Sequence, residues 1–308
     1  MRTKAFMMMA AAALVMAGCS NDENEITDNW NGEIRLSSGL TVQQTRANES
    51  TPPDTQIASG QEVGIFINDA ITTSEVIATN LKYTADGNGA LTLGTGENIP
   101  YYPANGNAVA IYAYQPLSSI IGNDETFDFS VKPDQSMNNG KEYYNSDLLY
   151  SASKTYVRQK IAHSLSFTHK LSKVVCKLES GAGTPSLAGA TVEILNAETK
   201  GTFKTSDGTF TLTSGNISDV KMNSTITSGS YIAVIPPQTF TKGTNLLKIT
   251  IGTGVFYYSI PNDGENLVLT EGNVYTYTIK VNLTGLKVTS TITPWNGNET
   301  HSGEAEMQ

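Results

Sequence analysis

The chain has 308 residues, enough for about two domains of ordinary size, and its 27 glycines and 14 tyrosines, with Ser and Thr between apolar positions, favour strands and turns over helices. Its formal charge of −9 and pI near 4.9, with no cluster of Lys and Arg, exclude a polyanion-binding surface. No nucleic-acid partner is therefore expected, because phosphate recognition needs grouped cations.

The N-terminus carries a targeting pattern. Arg2 and Lys4 precede an apolar stretch from Ala5 to Ala17, shorter than the roughly 20 residues of a bilayer-spanning helix. Met16-Ala17-Gly18-Cys19 is similar to the lipobox of bacterial lipoproteins, in which the cysteine is acylated and becomes the new N-terminus. Residues 1–18 are then a signal peptide and 19–32 an acidic tether, beginning Ser20-Asn21-Asp22-Glu23-Asn24-Glu25, too polar to fold alone. Lipid at Cys19 would hold the protein on the outer membrane, each buried methylene contributing about 0.8 kcal/mol. Only Cys176 then remains, so no internal disulfide is possible; its setting, "SKVVCKLES", predicts a buried small hydrophobe.

From Glu33 the apolar period is two. In "EIRLSSGLTVQQ", Ile34, Leu36, Leu40 and Val42 share one face, Ser38 fills the gap, and Gly39 marks an irregularity in one strand. Arg46 ends this run; "RANESTPPDTQIASGQE", with Pro52-Pro53, reads as a loop. Strand-sized runs follow: "VGIFIND", "LKYTADGNGALTL", "AVAIYAYQP", "FDFSVKP", "DLLYSASKTYV" and "IAHSLSFTHKLSKVVCKLES". The second half repeats the rhythm with "GATVEILNA", "GTFKTSDGTFTLT", "SGSYIAVIPPQTF", "NLLKITIGTGVFYYSI", "VYTYTIKVNL" and "TGLKVTSTITPW". Asp86-Gly87, Asp207-Gly208 and Gly252-Thr253-Gly254 are hairpin turns on this reading, and a short helix is expected between Leu117 and Met137. The architecture is an all-β sandwich, divided near Ser153–Leu165 into domains 33–160 and 161–308.

Catalytic chemistry is hard to find. His163 and His169 fall on one side of a strand but about 20 Å apart, too far to share one metal ion, and His301 lies in a polar tail. Ser151-Ala152-Ser153-Lys154 matches Ser-x-x-Lys, yet lies in a strand-like run and lacks the partner elements of a penicillin-recognising site. Asp86-Gly87-Asn88-Gly89 resembles a calcium loop, but Glu97 follows a strand-like run, so a turn is the better reading. No enzyme and no cofactor are expected. Tyr101, Tyr102, Tyr143 and Tyr144 are the residues on which a sugar could stack, leaving a surface glycan-binding lipoprotein as an alternative.

"TRAN" from Thr45, "VGIFIND" from Val63, "PYYPANGNAVAIYAYQP" from Pro100, "DLLYSA" from Asp147, "LSFTHKLSKVVCKLES" from Leu165 and "EGNVYTYTIKVNLTGLKVTSTITPW" from Glu271 together resemble the Bacteroidetes fimbrillin (Mfa-like) family. The acidic run after Cys19 likewise resembles the surface-export signal of Bacteroidetes lipoproteins. The resemblance implies two tandem transthyretin-like β-sandwich domains and assembly into surface fimbriae. It also implies cutting by an arginine-specific protease between Arg46 and Ala47, loss of the first strand (33–46), and entry of a strand from another subunit into the emptied groove. The matching donor is the run 286–293, where Leu286, Val288 and Ile292 alternate with polar residues at the spacing of the first strand. A host or bacterial surface glycan or protein is a further partner for an adhesive subunit, and a lipid-retaining fimbrial anchor is the alternative role. Because the tail from Asn296 to Gln308 is polar, the donor is not expected to be the extreme C-terminus.

Overall fold

Alternating β-branched and aromatic residues, punctuated by Gly, Asn and Asp, make most of the chain strand, as seen in a computed structural model that describes residues 30–40, 56–72, 74–181, 186–224, 229–282, 285–294 and 301–306. The first half holds β1 (Leu36–Leu40), β2 (Glu62–Asp69), β3 (Val76–Ala85), β4 (Leu91–Leu93), β5 (Val109–Gln115) and β6 (Thr126–Ser130). A 3₁₀ turn (Asn138–Gly140) and α1 (Lys141–Ser146) lead to β7 (Leu149–Tyr156), β8 (His163–His169) and β9 (Ser172–Ser180). Then come β10 (Thr191–Glu198), β11 (Lys200–Lys204), β12 (Thr209–Leu212), β13 (Ile217–Lys221), β14 (Ser230–Ile235) and β15 (Gln238–Phe240). The chain continues through β16 (Asn245–Ile251), β17 (Gly254–Ser259), β18 (Leu267–Leu269), β19 (Asn273–Asn282), β20 (Gly285–Pro294) and β21 (His301–Glu306). Contacts divide the chain into Met1–Asn31 and Gly32–Gln308, and every one of these elements lies in the second unit.

The all-β expectation is met. One sheet runs β1-β8-β7-β5-β2-β3-β4, and the sandwich of the second half pairs β14-β9-β19-β20-β21 with β13-β10-β16-β17. A small sheet, β12-β11-β6, joins strands from both halves, and β8, from the sequence-drawn C-terminal domain, stands between β1 and β7 of the first sheet. Among the described residues, two of the buried clusters stand out. One is aromatic, with Tyr114 at ring-centroid distances of 5.2 Å from Phe127 and 6.1 Å from Phe203; the other is mostly aliphatic, built on Val192, Ile194, Leu247, Ile249 and Ile279. The Asp207-Gly208 turn does form, and Gly208 is required there: its φ is +71°, and an added Cβ would collide with the Tyr150 ring.

Two local expectations change. The helix lies at 141–146 and not between Leu117 and Met137, because Asn138 and Asn139 turn the chain at positive φ and Gly140, at φ +83°, lets the helix start. Tyr143 then anchors it in the aromatic core, and the Ser146 hydroxyl donates to the Glu142 carbonyl at 2.7 Å. Gly39 introduces no irregularity: the β1–β8 ladder passes through it without a shift. Within the polar tail forms a strand not expected from the sequence: β21 pairs with β20 from Lys287↔Glu306 to Ile292↔His301.

Candidate functional site

The first strand occupies a closing position in its sheet. β1 runs parallel to β8, in register from Leu36↔His163 to Leu40↔Phe167. On its other side Ser37 bridges Ala90, directly before β4, the opposite end of the same sheet. The Ser38 N–H donates to the Gly89 carbonyl at 2.7 Å, and the Ile34 N–H to the Pro100 carbonyl at 2.9 Å. The His163 N–H donates to the Arg35 carbonyl at 2.8 Å, and the Tyr102 N–H to that of Gly32 at 3.0 Å. β1 therefore links the two ends of a seven-stranded sheet that would otherwise present open edges.

Its side chains follow the period-two pattern. Ile34, Leu36 and Ser38 are buried and Leu40 is half-buried, while Arg35, Ser37 and Gly39 turn to the more open face. They meet β8 residues that alternate in the same way, with Leu165 and Phe167 fully buried. Burial of each of Ile34 and Leu36 stabilises the seat by about 1.5–3 kcal/mol. Among the described residues Ser38 is the one polar residue on this face, and its hydroxyl makes a long 3.5 Å contact with the Gly89 carbonyl.

At the end where β1 begins, polar groups tie the loops together. His163 is buried beneath Tyr102, whose hydroxyl meets its Nε2; Gln159 meets its Nδ1 at 3.0 Å, and the Tyr156 ring lies 4.5 Å away, centroid to centroid. Burial pushes the imidazole below its ordinary value of 6.5. Asp69, also buried, accepts the N–H groups of Ile71 and Thr72, both at 2.8 Å, and the amides of Asn105 and Asn107. Foremost the Thr72 N–H, then Asn107, Ile71 and Asn105, hold its carboxyl down at about 2 against the opposing effect of burial. Sequence reading missed this clamp, although an Asp ending a strand before a polar loop is the usual sign of such a turn.

The strand that matches β1, β20, is placed differently. It pairs antiparallel with β19, from Asn282↔Gly285 to Asn273↔Pro294, and carries only β21 beyond it. The structure describes the backbone of Leu286 and Val288 and, near the other end, a half-buried Ile292 packed against the aliphatic core. Beside it opens an apolar groove of about 460 Å³, lined by Tyr258, Ile260, Leu267, Tyr275, Tyr277 and Ile292 among others.

The remaining candidates sort by burial. Tyr102 and Tyr143 are core residues and Tyr144 is half-buried, so of the four tyrosines only Tyr101 offers an open ring, which corrects the stacking expectation. Ser151 and Lys154 lie in β7, Ser151 buried and Lys154 exposed, with no helix to aim the serine. Asp86 caps its own turn by accepting the N–H groups of Asn88 at 2.7 Å and Ala90 at 2.9 Å. His169 is buried against Asp147, Nδ1 to Oδ1 at 3.0 Å, and Cys176 is buried with its thiol pushed up by desolvation, unsuited to reaction. Cys19, Val42, Arg46 and Ala47 lie outside the described residues.

The profile of a family described as fimbrillin-like matches residues 45–295. A Bacteroides uniformis protein named "Putative fimbrium subunit Fim1C" is 27% identical over 324 residues, covering 99% of this chain and 100% of that protein. Two crystal structures described as of a "putative cell adhesion protein" share the fold. One, from Bacteroides uniformis, has a TM-score of 0.66 at 23% identity, covering 86% of this chain and 99% of its own. The other, from Bacteroides ovatus, has a TM-score of 0.63 at 15% identity, covering 87% and 99%.

Proposed function

The chain belongs to the fimbrillin-like family, and from that premise we propose that it is a structural or adhesive subunit of surface fimbriae, non-enzymatic, matured by removal of its first strand and joined to other subunits by strand exchange. It is exported as a lipoprotein through Cys19 to the cell outer membrane. An arginine-specific protease then cuts between Arg46 and Ala47 and releases residues up to Arg46 with the lipid. The run 286–293 serves as the donor strand of the next joint. The reading keeps two transthyretin-like sandwich domains, 33–160 and 161–308, knitted together by β8 and by the β6–β11 pair.

The observation that carries this reading is the seat of β1. Its loss would bare Leu165 and Phe167 and leave the outer backbone groups of β8 unpaired. Such an edge is refilled by any strand that supplies both the ladder and alternate apolar side chains. Once filled, the joint opens only by breaking the whole ladder, so a non-covalent polymer becomes kinetically persistent.

The test is mass spectrometry of the surface protein from cells expressing the wild type and Arg46→Ala. Wild type is expected to begin at Ala47 and polymerise; Arg46→Ala is expected to keep an acylated Cys19 and remain monomeric. Unchanged processing and polymerisation of Arg46→Ala would refute the proposal.

A further inference from the structure

We propose that the Arg158–Gln159 bond, in the loop between β7 and β8, is a second site for an arginine-specific protease, hidden while the first strand is seated and opened when that strand leaves. A subunit whose seat stays empty is then cut again by the enzyme that matured it. This rests on the maturation reading and adds to it an order of cuts and a fate for unfilled subunits.

Arginine is scarce in this chain, which makes the sites easy to follow: Arg2, Arg35, Arg46 and Arg158. The first three leave with the piece removed at Arg46, so Arg158 is the arginine that the mature chain keeps. Arg35 is guarded while it is present, because its carbonyl accepts the His163 N–H at 2.8 Å and the next residue, Leu36, is buried. Arg158 stands in an exposed loop, 157–162, between Val157 (67% exposed) and Ile161 (77%). An exposed loop is the usual place for a protease to nick a folded chain.

Here the loop is tied to residues that maturation removes. The Arg158 guanidinium packs on Gly32, where an added Cβ would collide with it. The Tyr102 N–H donates to the Gly32 carbonyl at 3.0 Å and the Tyr102 hydroxyl to the Val157 carbonyl at 3.2 Å. The segment ahead of β1 thus holds Tyr102, and Tyr102 holds the carbonyl next to Arg158. On the other side of the bond, the Gln159 amide donates to the Ile161 carbonyl at 3.1 Å and meets His163, whose N–H is the one bonded to Arg35. A protease needs the arginine side chain in its pocket and the flanking backbone extended, and both are engaged elsewhere while β1 is present.

The ladder of β8 explains why removal of β1 releases the loop. β8 pairs with β7 at Leu149↔His169 and Tyr150↔Thr168, the end far from the loop. From His163 to Phe167, the half that follows the loop, its register is with β1. Without β1 that half keeps its buried side chains and the Tyr156 hydroxyl on the Ser164 carbonyl, but it loses its ladder. Local opening of such a segment costs less than global unfolding, and cleavage follows the open population. Hydrolysis adds one water across the Arg158–Gln159 bond, leaving a carboxylate on Arg158 and an amine on Gln159. Any strand seated on β8 restores the ladder and spares the subunit.

The test is limited digestion with a purified arginine-specific endoprotease, read by mass spectrometry. Wild type cut at Arg46 and freed of the released piece by chromatography is expected to give fragments 47–158 and 159–308 at least tenfold faster than Arg46→Ala is cut at Arg158. Hydrogen exchange on the freed Arg158→Lys chain, which the protease does not read at that position, is expected to show 157–167 deprotected while β19 keeps its protection. Equal cutting at Arg158 with and without the first strand, or loss of protection in β19 as well, overturns the inference and leaves maturation at Arg46 intact. Failure to cut at Arg46, or a first strand that stays seated after the cut, refutes the maturation reading and this inference with it.

Discussion

β1 and β20 carry nearly the same pattern, yet the fold treats them in opposite ways. β1 has neighbours on both sides, β8 in parallel register and the Gly89–Ala90 and Pro100–Tyr102 segments across from it, and it buries Ile34, Leu36 and Ser38. β20 belongs to a ribbon at a sheet margin, with Thr289 exposed, Ile292 only half-buried and an open groove alongside. The difference teaches that an alternating segment does not carry its own burial. The same pattern can close a core or wait at an edge, and the second condition leaves it available to move.

The largest expected effect comes from charging the buried member of the pair. Leu36→Asp is expected to lower the unfolding free energy of the uncut chain by about 3–5 kcal/mol, because it removes apolar burial and places a carboxylate in a buried position shaped for an aliphatic side chain. Urea denaturation measures this, and an equal loss from Ile292→Asp would break the comparison. Ile292→Ala is expected to cost about 1 kcal/mol, the value of a half-buried aliphatic side chain.

Acid should separate the two regions more gently. The folded state binds a proton at His163 less readily than the unfolded chain does, so the stability linked to it is fully present above pH 6.5 and is lost as pH falls through the lower folded value. His163 pairs with Leu36 and its N–H holds the Arg35 carbonyl, so hydrogen exchange between pH 7 and 5 is expected to deprotect β1 before β19. Simultaneous loss would show that the histidine does not govern the seat. The smallest effect belongs to the exposed face of β20: Thr289→Ala should stay within about 0.5 kcal/mol of wild type by the same denaturation.

Much of this was legible in the residues. The pattern from Ile34 to Leu40 predicted both the strand and its buried face, including Ser38 as the polar filler, and the Asp-Gly and Gly-Thr-Gly turns fell where hairpins form. Cys176 read as buried, and it is. The start of the helix escaped because it depends on two consecutive asparagines at positive φ, a choice that composition does not announce. β21 escaped because its partner supplies the ladder that its own polar residues do not demand.

What the sequence by itself determined is local: which segments extend, which face of each is apolar, where the chain turns, and the family to which the chain belongs. What only the tertiary structure decided is partnership. That Leu36 lies beside His163, that β6 pairs with β11, and that β1 joins the two ends of one sheet are facts about residues far apart in the chain. Backbone N–H and C=O groups are the same in every strand and carry no address, so pairing is set by which buried faces can be closed together.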